Sequence, residues 1–337
     1  MKKIAVIEGD GIGREVIPQA LKVLNALEFE FEKIELNVGY SRWETTGEAI
    51  SNDDINTLKE CDCILFGAIT TPNDPDYKSV LLRIRKELEL YANVRPIRPI
   101  AAITGAVGHK NFDLVIVREN TECLYAGLEE IYEDRAYTTR VITRNGSERV
   151  AKYACKLANA RRKHLTIVHK SNVIKSDKLF LETCQEIADK EKINFDDRLV
   201  DSMAFSLITE PWKYDVVVTT NMFGDILSDL SGALVGSLGL LPSANIGLNQ
   251  AFFEPVHGSA PDIAGENKAN PIAAILSTKM MLEWCQEFEK ASMIEEAINQ
   301  TLCRNIRTPD IGGHSTTDAF GDAVAEYIKD TISSNSK

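Results

Sequence analysis

Lys2-Lys3-Ile4-Ala5-Val6-Ile7-Glu8-Gly9-Asp10-Gly11-Ile12-Gly13 opens as an apolar run and closes as a glycine loop; from 15 to 27 the apolar residues then take helical spacing. A strand passing through a tight turn into a helix is the start of a strand–helix–strand unit. The turn invites comparison with the dinucleotide fingerprint G-x-G-x-x-G, but its spacing is G-x-G-x-G, and no acidic residue ends a second strand in the expected way. The reading is therefore an α/β fold that is not a Rossmann fold. The glycines still allow backbone to approach a ligand closely, although a plain strand-to-helix turn would use the same letters.

The alternation continues outward. Strand-like runs stand at 62–67, 113–117, 165–168 and 215–219, and helical patterns at 53–59, 147–162, 178–190, 226–235, 272–288 and 292–303. Strands alternating with helices predict a largely parallel sheet. Four of the strands run into polar clusters: the glycine loop, Arg118-Glu119-Asn120, His169-Lys170-Ser171-Asn172, and Thr220-Asn221-Met222-Phe223-Gly224-Asp225. Ligands of open α/β sheets bind beyond the carboxyl ends of strands, so these ends predict one shared cleft.

A length of 337 residues suggests about two domains. The net charge of −12 argues against a nucleic-acid or anionic-membrane partner. Only four apolar residues follow Met1-Lys2-Lys3 before Glu8, too few for a signal h-region, and no run approaches the roughly 18 apolar residues of a membrane span. Seven cysteines without a C-x-x-C pair fit reduced, buried thiols in a cytoplasmic protein.

Asp225 and Asp229 stand four apart, which on a helix puts both carboxylates on one face. A hard divalent ion, Mg²⁺ or Mn²⁺, would relieve their repulsion; a first-turn residue and a solvated one is the plainer alternative. Arg83, Arg85, Arg95, Arg98 and Arg118 suggest either an anionic ligand gripped by guanidinium forks or surface ion pairs, and Pro96 keeps Arg95 out of a helix interior. Tyr125 and Lys170 are the proton-transfer candidates near these clusters. The turn-rich run 257–265 followed by Asn270-Pro271 is either an ordered structural loop or a wrap for a nucleotide. In the latter case Asp262 would accept from ribose hydroxyls and repel a 2′-phosphate, favouring NAD over NADP.

Taken together, GDGIG at 9–13, LYANVRP at 90–96, VRENTE at 117–122, HKSNV at 169–173, NMFGDILSD at 221–229, EPVHGSAPDIAG at 254–265 and TPDIGG at 308–313 resemble the β-decarboxylating dehydrogenases that act on isocitrate, 3-isopropylmalate and homoisocitrate. The resemblance runs from Glu8 to Phe320. It implies a two-domain isopropylmalate-dehydrogenase-like fold, with a discontinuous nucleotide-binding domain of 1–91 plus 237–337. A smaller domain of 92–236 would carry an arm near 120–145 that builds a homodimer. It further implies Arg85, Arg95 and Arg118 as substrate ligands, Tyr125 and Lys170 as the catalytic pair, and Asp201, Asp225 and Asp229 as metal carboxylates. Lys170 and Asp201 would serve the partner subunit's site. The nucleotide residues would be Ile12, Asn172, Glu254, His257, Asp262, Ile263, Asn270 and Asp310.

Substrate choice in this family rests on the segment before the first substrate arginine, here Tyr77 to Arg85. Ser79 matches the isocitrate pattern, but Leu81 replaces its asparagine; Leu81 and Leu82 match the isopropylmalate pattern. Apolar walls with Lys78 and Ser79 at a polar end, and a longer loop at 70–76, resemble homoisocitrate enzymes most. The expectation is therefore NAD-dependent oxidative decarboxylation of a 3-substituted malate, homoisocitrate ahead of isopropylmalate and then isocitrate. A non-catalytic regulatory subunit is the alternative of a different class.

Overall fold

A computed structural model describes residues 1–74, 76–100, 103 and 105–335; residue 75 of the 70–76 loop lies outside them. Among the described residues twelve strands occur in the order β1 (Lys2–Gly9), β2 (Phe31–Glu35), β3 (Cys63–Ala68), β4 (Ala92–Ile97), β5 (Leu114–Glu119), β6 (Glu129–Ile131), β7 (Ala136–Thr138), β8 (His164–His169), β9 (Asn194–Leu199), β10 (Val216–Thr219), β11 (Pro242–Ile246) and β12 (Ala251–Pro255). The helices are α1 (Gly13–Ala26), α2 (Tyr40–Thr46), α3 (Asn52–Lys59), α4 (Val80–Glu87), α5 (Arg144–Asn159), α6 (Asp177–Glu191), α7 (Val200–Thr209), α8 (Asn221–Val235), α9 (Ile272–Trp284), α10 (Phe288–Cys303) and α11 (Thr317–Asn335).

Ten strands form one sheet, β2-β1-β3-β12-β11-β4-β5-β10-β8-β9, and β6 and β7 pair as a separate hairpin. The sheet has two wings. β2, β1, β3 and β12 are parallel, and β5, β10, β8 and β9 are parallel. β11 and β4, each antiparallel to both neighbours, join the wings. Three successive antiparallel pairings make the second wing run opposite to the first. The expectation that four strand ends point into one cleft is corrected in direction: β1 runs opposite to β5, β8 and β10, and the pocket lies on a face of the sheet where the wings meet, with the end of β3 on one side and Arg118 and Asp225 on the other.

Alternation along the strands covers both faces. Ile4 and Val6 pack in the main core with α1 and the C-terminal helices, while Ala5 and Ile7 pack on the opposite face with Phe66, Leu58, Val80 and Ile84. The predicted helices and the five predicted strands are present with ends shifted by a few residues. The 272–288 pattern is one helix that stops at Trp284, and the helix predicted for 292–303 begins already at Phe288. Edge strands β2 and β9 escape prediction because both carry charges, as exposed sheet edges do. All seven cysteines are free, five of them buried. Among the described residues no helix is long and apolar enough to cross a membrane.

Candidate active site

Strand register builds the floor of the pocket. Asn93 on β4 stands opposite Arg118 on β5 and Asn245 on β11, so these side chains share one face, and Arg95 follows two residues along. α4 brings Arg85 over this face and α8 brings Asp225 and Asp229. A short turn, Leu124–Ala126, delivers Tyr125. The open pocket so formed has a volume of about 350 Å³ and is lined among others by Ser79, Leu81, Leu82, Arg85, Arg95, Arg118, Tyr125, Asp225, Glu254 and His257. Lys78 is exposed and is not among the lining residues. The five arginines divide: Arg83 donates to Ile50 and Asn52, and Arg98 pairs with Glu295, so only three enter the pocket.

All three guanidiniums are buried, at 7%, 5% and 2% relative exposure for Arg85, Arg95 and Arg118, so each is anchored rather than mobile. Arg85 donates to Glu254 at 3.0 Å. Arg95 donates to Asp229 at 3.1 Å and lies 3.5 Å from Asp225. Arg118 grips Asn221 with Nε and Nη2 at 2.9 and 2.7 Å and pairs with Asp225 through Nη1. Burial pushes Arg118 down to about 10, and repulsion from Arg85 adds to this. Burial likewise lowers Arg95. Guanidiniums crowded in this way favour an added anion.

The acids are tuned apart. Burial pushes the Asp225 carboxyl up, but Arg118, the Tyr125 hydroxyl and Arg95 outweigh it and hold the group below its ordinary value. Asp229 is raised, by burial first and by Asp225 as a like charge, against the pull of Arg95. The Tyr125 hydroxyl donates to Asp225 Oδ2 at 2.7 Å, and the Arg118 guanidinium lies 5.0 Å from the centre of its ring. Burial, then the hydrogen bond to Asp225, raises the phenol, which keeps its proton at neutral pH.

Lys170 and Asp201 form a separate pair at 2.5 Å, and Asn172, exposed beside them, accepts a bond from Lys175 through its carbonyl. Among the described residues no three His, Cys, Asp or Glu side chains gather closely enough to hold a metal ion, so within one copy Asp201 does not join Asp225 and Asp229. On the other side of the pocket the glycine loop meets the 257–265 loop. Gly11 has φ +54°, and a Cβ there would sit 2.0 Å from the Ser259 carbonyl, so only glycine permits the approach. Ile12 donates from its N–H to that same carbonyl at 2.9 Å and packs with Ile263. Asn270 donates to Asp310 at 3.0 Å, Asp262 is exposed, and His257 Nε2 is buried without a partner.

Sequence reasoning passed over Asn93 and Asn245, and noted Asn120 and Asn221 only as members of strand-end clusters. Asn93 and Asn120 both donate to Asn245 Oδ1 at 2.9 Å, and Asn245 donates to Glu254 at 2.8 Å. This buried chain fixes the carboxylate that fixes Arg85. The available signal was a polar residue inside an otherwise apolar strand, the informative exception to burial rules.

A two-winged, mostly parallel sheet carrying buried guanidiniums, a protonated tyrosine and paired carboxylates on one face defines the class of β-decarboxylating dehydrogenases. Comparison supports the class and narrows it: the chain belongs to the isocitrate/isopropylmalate dehydrogenase family, whose pattern it matches over residues 3–324. It is 50% identical to the homoisocitrate dehydrogenase of Methanocaldococcus jannaschii, covering 98% of each chain. It is 45% identical to the 3-isopropylmalate dehydrogenase of Archaeoglobus fulgidus, over 97% of this chain and 100% of that one. The crystal structure of isocitrate dehydrogenase from Methylococcus capsulatus superposes with a TM-score of 0.93 at 41% identity, covering 98% of this chain and 100% of the other.

Proposed function

We propose that this enzyme oxidises and decarboxylates a 3-substituted malate with NAD and Mg²⁺ or Mn²⁺, and that homoisocitrate is the substrate. The observation that carries the reading is the convergence of Arg85, Arg95 and Arg118 on one pocket beside Tyr125 and Asp225. Three guanidiniums face three carboxylates, Asp225, Asp229 and Glu254, so their charges cancel; a divalent cation would leave the pocket positive and ready for a polycarboxylate. Asp225 and Asp229 suit that cation because they offer hard oxygens four residues apart on α8. Asp201 of a second copy would complete the set, and Lys170 would arrive with it.

In this scheme the arginines hold the substrate carboxylates and orient C2 toward the nicotinamide. Lys170 accepts the hydroxyl proton as the C2 hydride departs. The phenol of Tyr125, protonated where it stands, then delivers a proton to the enol carbon left by loss of CO₂. A bound divalent ion supplies stabilisation of negative charge on the substrate oxygen, and NAD supplies the hydride acceptor. Ile12, Asn172, Glu254, His257, Asp262, Ile263, Asn270 and Asp310 would hold the nucleotide, Asn172 from the partner's side. The unpartnered nitrogen of His257, which lines the pocket, and the Asn270–Asp310 bond support that assignment.

The chain would act as a homodimer of two-domain protomers in the cytoplasm, with bodies of 1–91 plus 237–337 and of 92–236 meeting at the β4–β11 pairing. Leu128, Ile131, Tyr132 and Tyr137 on the β6–β7 hairpin, and Phe205 and Ile226 on α7 and α8, are exposed apolar groups suited to self-association. Leu81 and Leu82 in the pocket wall favour isopropylmalate as the second reading. Parallel kcat/KM measurements on homoisocitrate, isopropylmalate and isocitrate, each with NAD and NADP, test the proposal on the purified chain. Homoisocitrate with NAD should lead; a preference for isopropylmalate above about 100-fold, near 3 kcal/mol, rejects the substrate choice, and no turnover of any acid favours a regulatory subunit.

A further inference from the structure

Cys123 is buried, with φ +72° and ψ −142°, a region that glycine enters freely and a side chain enters under strain. A cysteine at such a position directs attention to what its side chain contacts. Its Sγ accepts a hydrogen bond from Arg140 Nε at 3.2 Å. The rest of that guanidinium reaches two other loops. Nη2 donates to Thr220 Oγ1 at 3.0 Å, at the head of α8, and Nη1 pairs with Asp177, which is fully buried. The second oxygen of Asp177 accepts the backbone N–H of Lys170 at 2.7 Å. The main chain reinforces the link, because Cys123 and Val141 exchange both of their N–H···O bonds.

One side chain thus ties together the turn that carries Tyr125, the loop that carries Lys170 and the helix that carries Asp225. We infer that Arg140, anchored by Cys123 and Asp177, is a positioning residue that sets the proton-donating and proton-accepting groups of this enzyme in a fixed relation. The inference rests on the reaction proposed above. If Lys170 serves the partner subunit's pocket while Tyr125 serves its own, the same clamp mechanically links the two pockets of a dimer.

Cys123→Gly separates the clamp from mere packing, because glycine relieves the backbone strain, which offsets the loss of one small buried side chain, while removing the acceptor of Arg140. The full-length protein, Cys123→Gly, Arg140→Met and Arg140→Lys are compared in three ways. These are thermal unfolding, steady-state turnover of the three acids with NAD, and native-state hydrogen exchange of peptides covering 121–127 and 168–173. The clamp predicts that Cys123→Gly unfolds no earlier than the unmodified protein, yet loses roughly tenfold or more in kcat with KM within about twofold. It also predicts faster exchange at 168–173, far along the chain from the substitution, and partial recovery in Arg140→Lys relative to Arg140→Met. Unchanged exchange at 168–173 in Cys123→Gly overturns the clamp, and so does changed exchange with undiminished kcat. Should Arg140→Met fail to fold, Cys123→Gly still decides. Should the unmodified chain turn over none of the acids, the proposed reaction fails, while the exchange measurement, which needs no substrate, still decides whether the clamp exists.

Discussion

Tyr125→Phe removes one oxygen from a ring that the surrounding structure continues to hold. The Arg118 guanidinium stays 5.0 Å from the ring centre, so stacking survives, and only the 2.7 Å bond from the hydroxyl to Asp225 is lost. Asp225 keeps Arg118 and Arg95 as partners, so no buried charge is stranded. Stability should therefore fall by about 1 kcal/mol, the usual net worth of one hydrogen bond. If the phenol is the acid of the last step, its loss should cost between about 10²- and 10⁴-fold in kcat, or roughly 3 to 5 kcal/mol of barrier. The substrate KM should barely move, because the arginines that bind the carboxylates are untouched. NADH formation at saturating hydroxy acid, followed by absorbance, measures this directly. A Tyr125→Phe enzyme retaining more than a tenth of the original kcat would refute the proton-donor role, since loss of a general acid cannot be that mild.

Asp262 is exposed and can be altered without disturbing the core: Asp262→Lys should lower the preference for NAD over NADP by tenfold or more, as about 1.4 kcal/mol of altered phosphate attraction implies, and an unaltered ratio of the two kcat/KM values removes the ribose contact. At the head of α3, Ser51 and Asp54 form a reciprocal cap, and Arg42 also pairs with Asp54. Burial raises this carboxyl, yet the Ser51 bonds and Arg42 outweigh it and hold the group below its ordinary value. Its stabilising contribution is thus full above the unfolded value near 4 and vanishes as pH falls through the lower folded value. Asp54→Asn should cost about 1 kcal/mol in urea unfolding at pH 7, with the difference shrinking below pH 4; a pH-independent difference would contradict the cap.

Much of this was legible in the letters. Apolar runs and helical spacing located β1, β5, β8 and β10 and most of the larger helices, because those elements bury continuous stripes. Arg85, Arg95 and Arg118 stood out as cations in an acidic chain, and the four-residue spacing of Asp225 and Asp229 holds on α8. What local pattern lacks is strand direction. β11 starts with a proline and β4 contains one, and only their tertiary pairing reverses the second wing. Apart from Pro96 after Arg95, nothing local distinguished Arg83 and Arg98, which bond outside the pocket, from the arginines inside it. Cys123 gave no signal at all, since strain resides in dihedral angles.

The place of β12 between β3 and β11 bears on how the chain is born. β3, six buried residues beginning Cys63-Ile64-Leu65-Phe66, leaves the ribosome early, but the strand that covers its open side emerges only at Ala251–Pro255. Everything from β4 to β10 is synthesised in between and contains its own parallel wing, so that wing can assemble while the first waits. A nascent chain therefore carries an unpaired apolar edge throughout the synthesis of residues 69–250, the kind of edge that recruits other chains. Ribosome-associated chaperones would be needed most in that interval, and any truncation before residue 251 would make the hazard permanent.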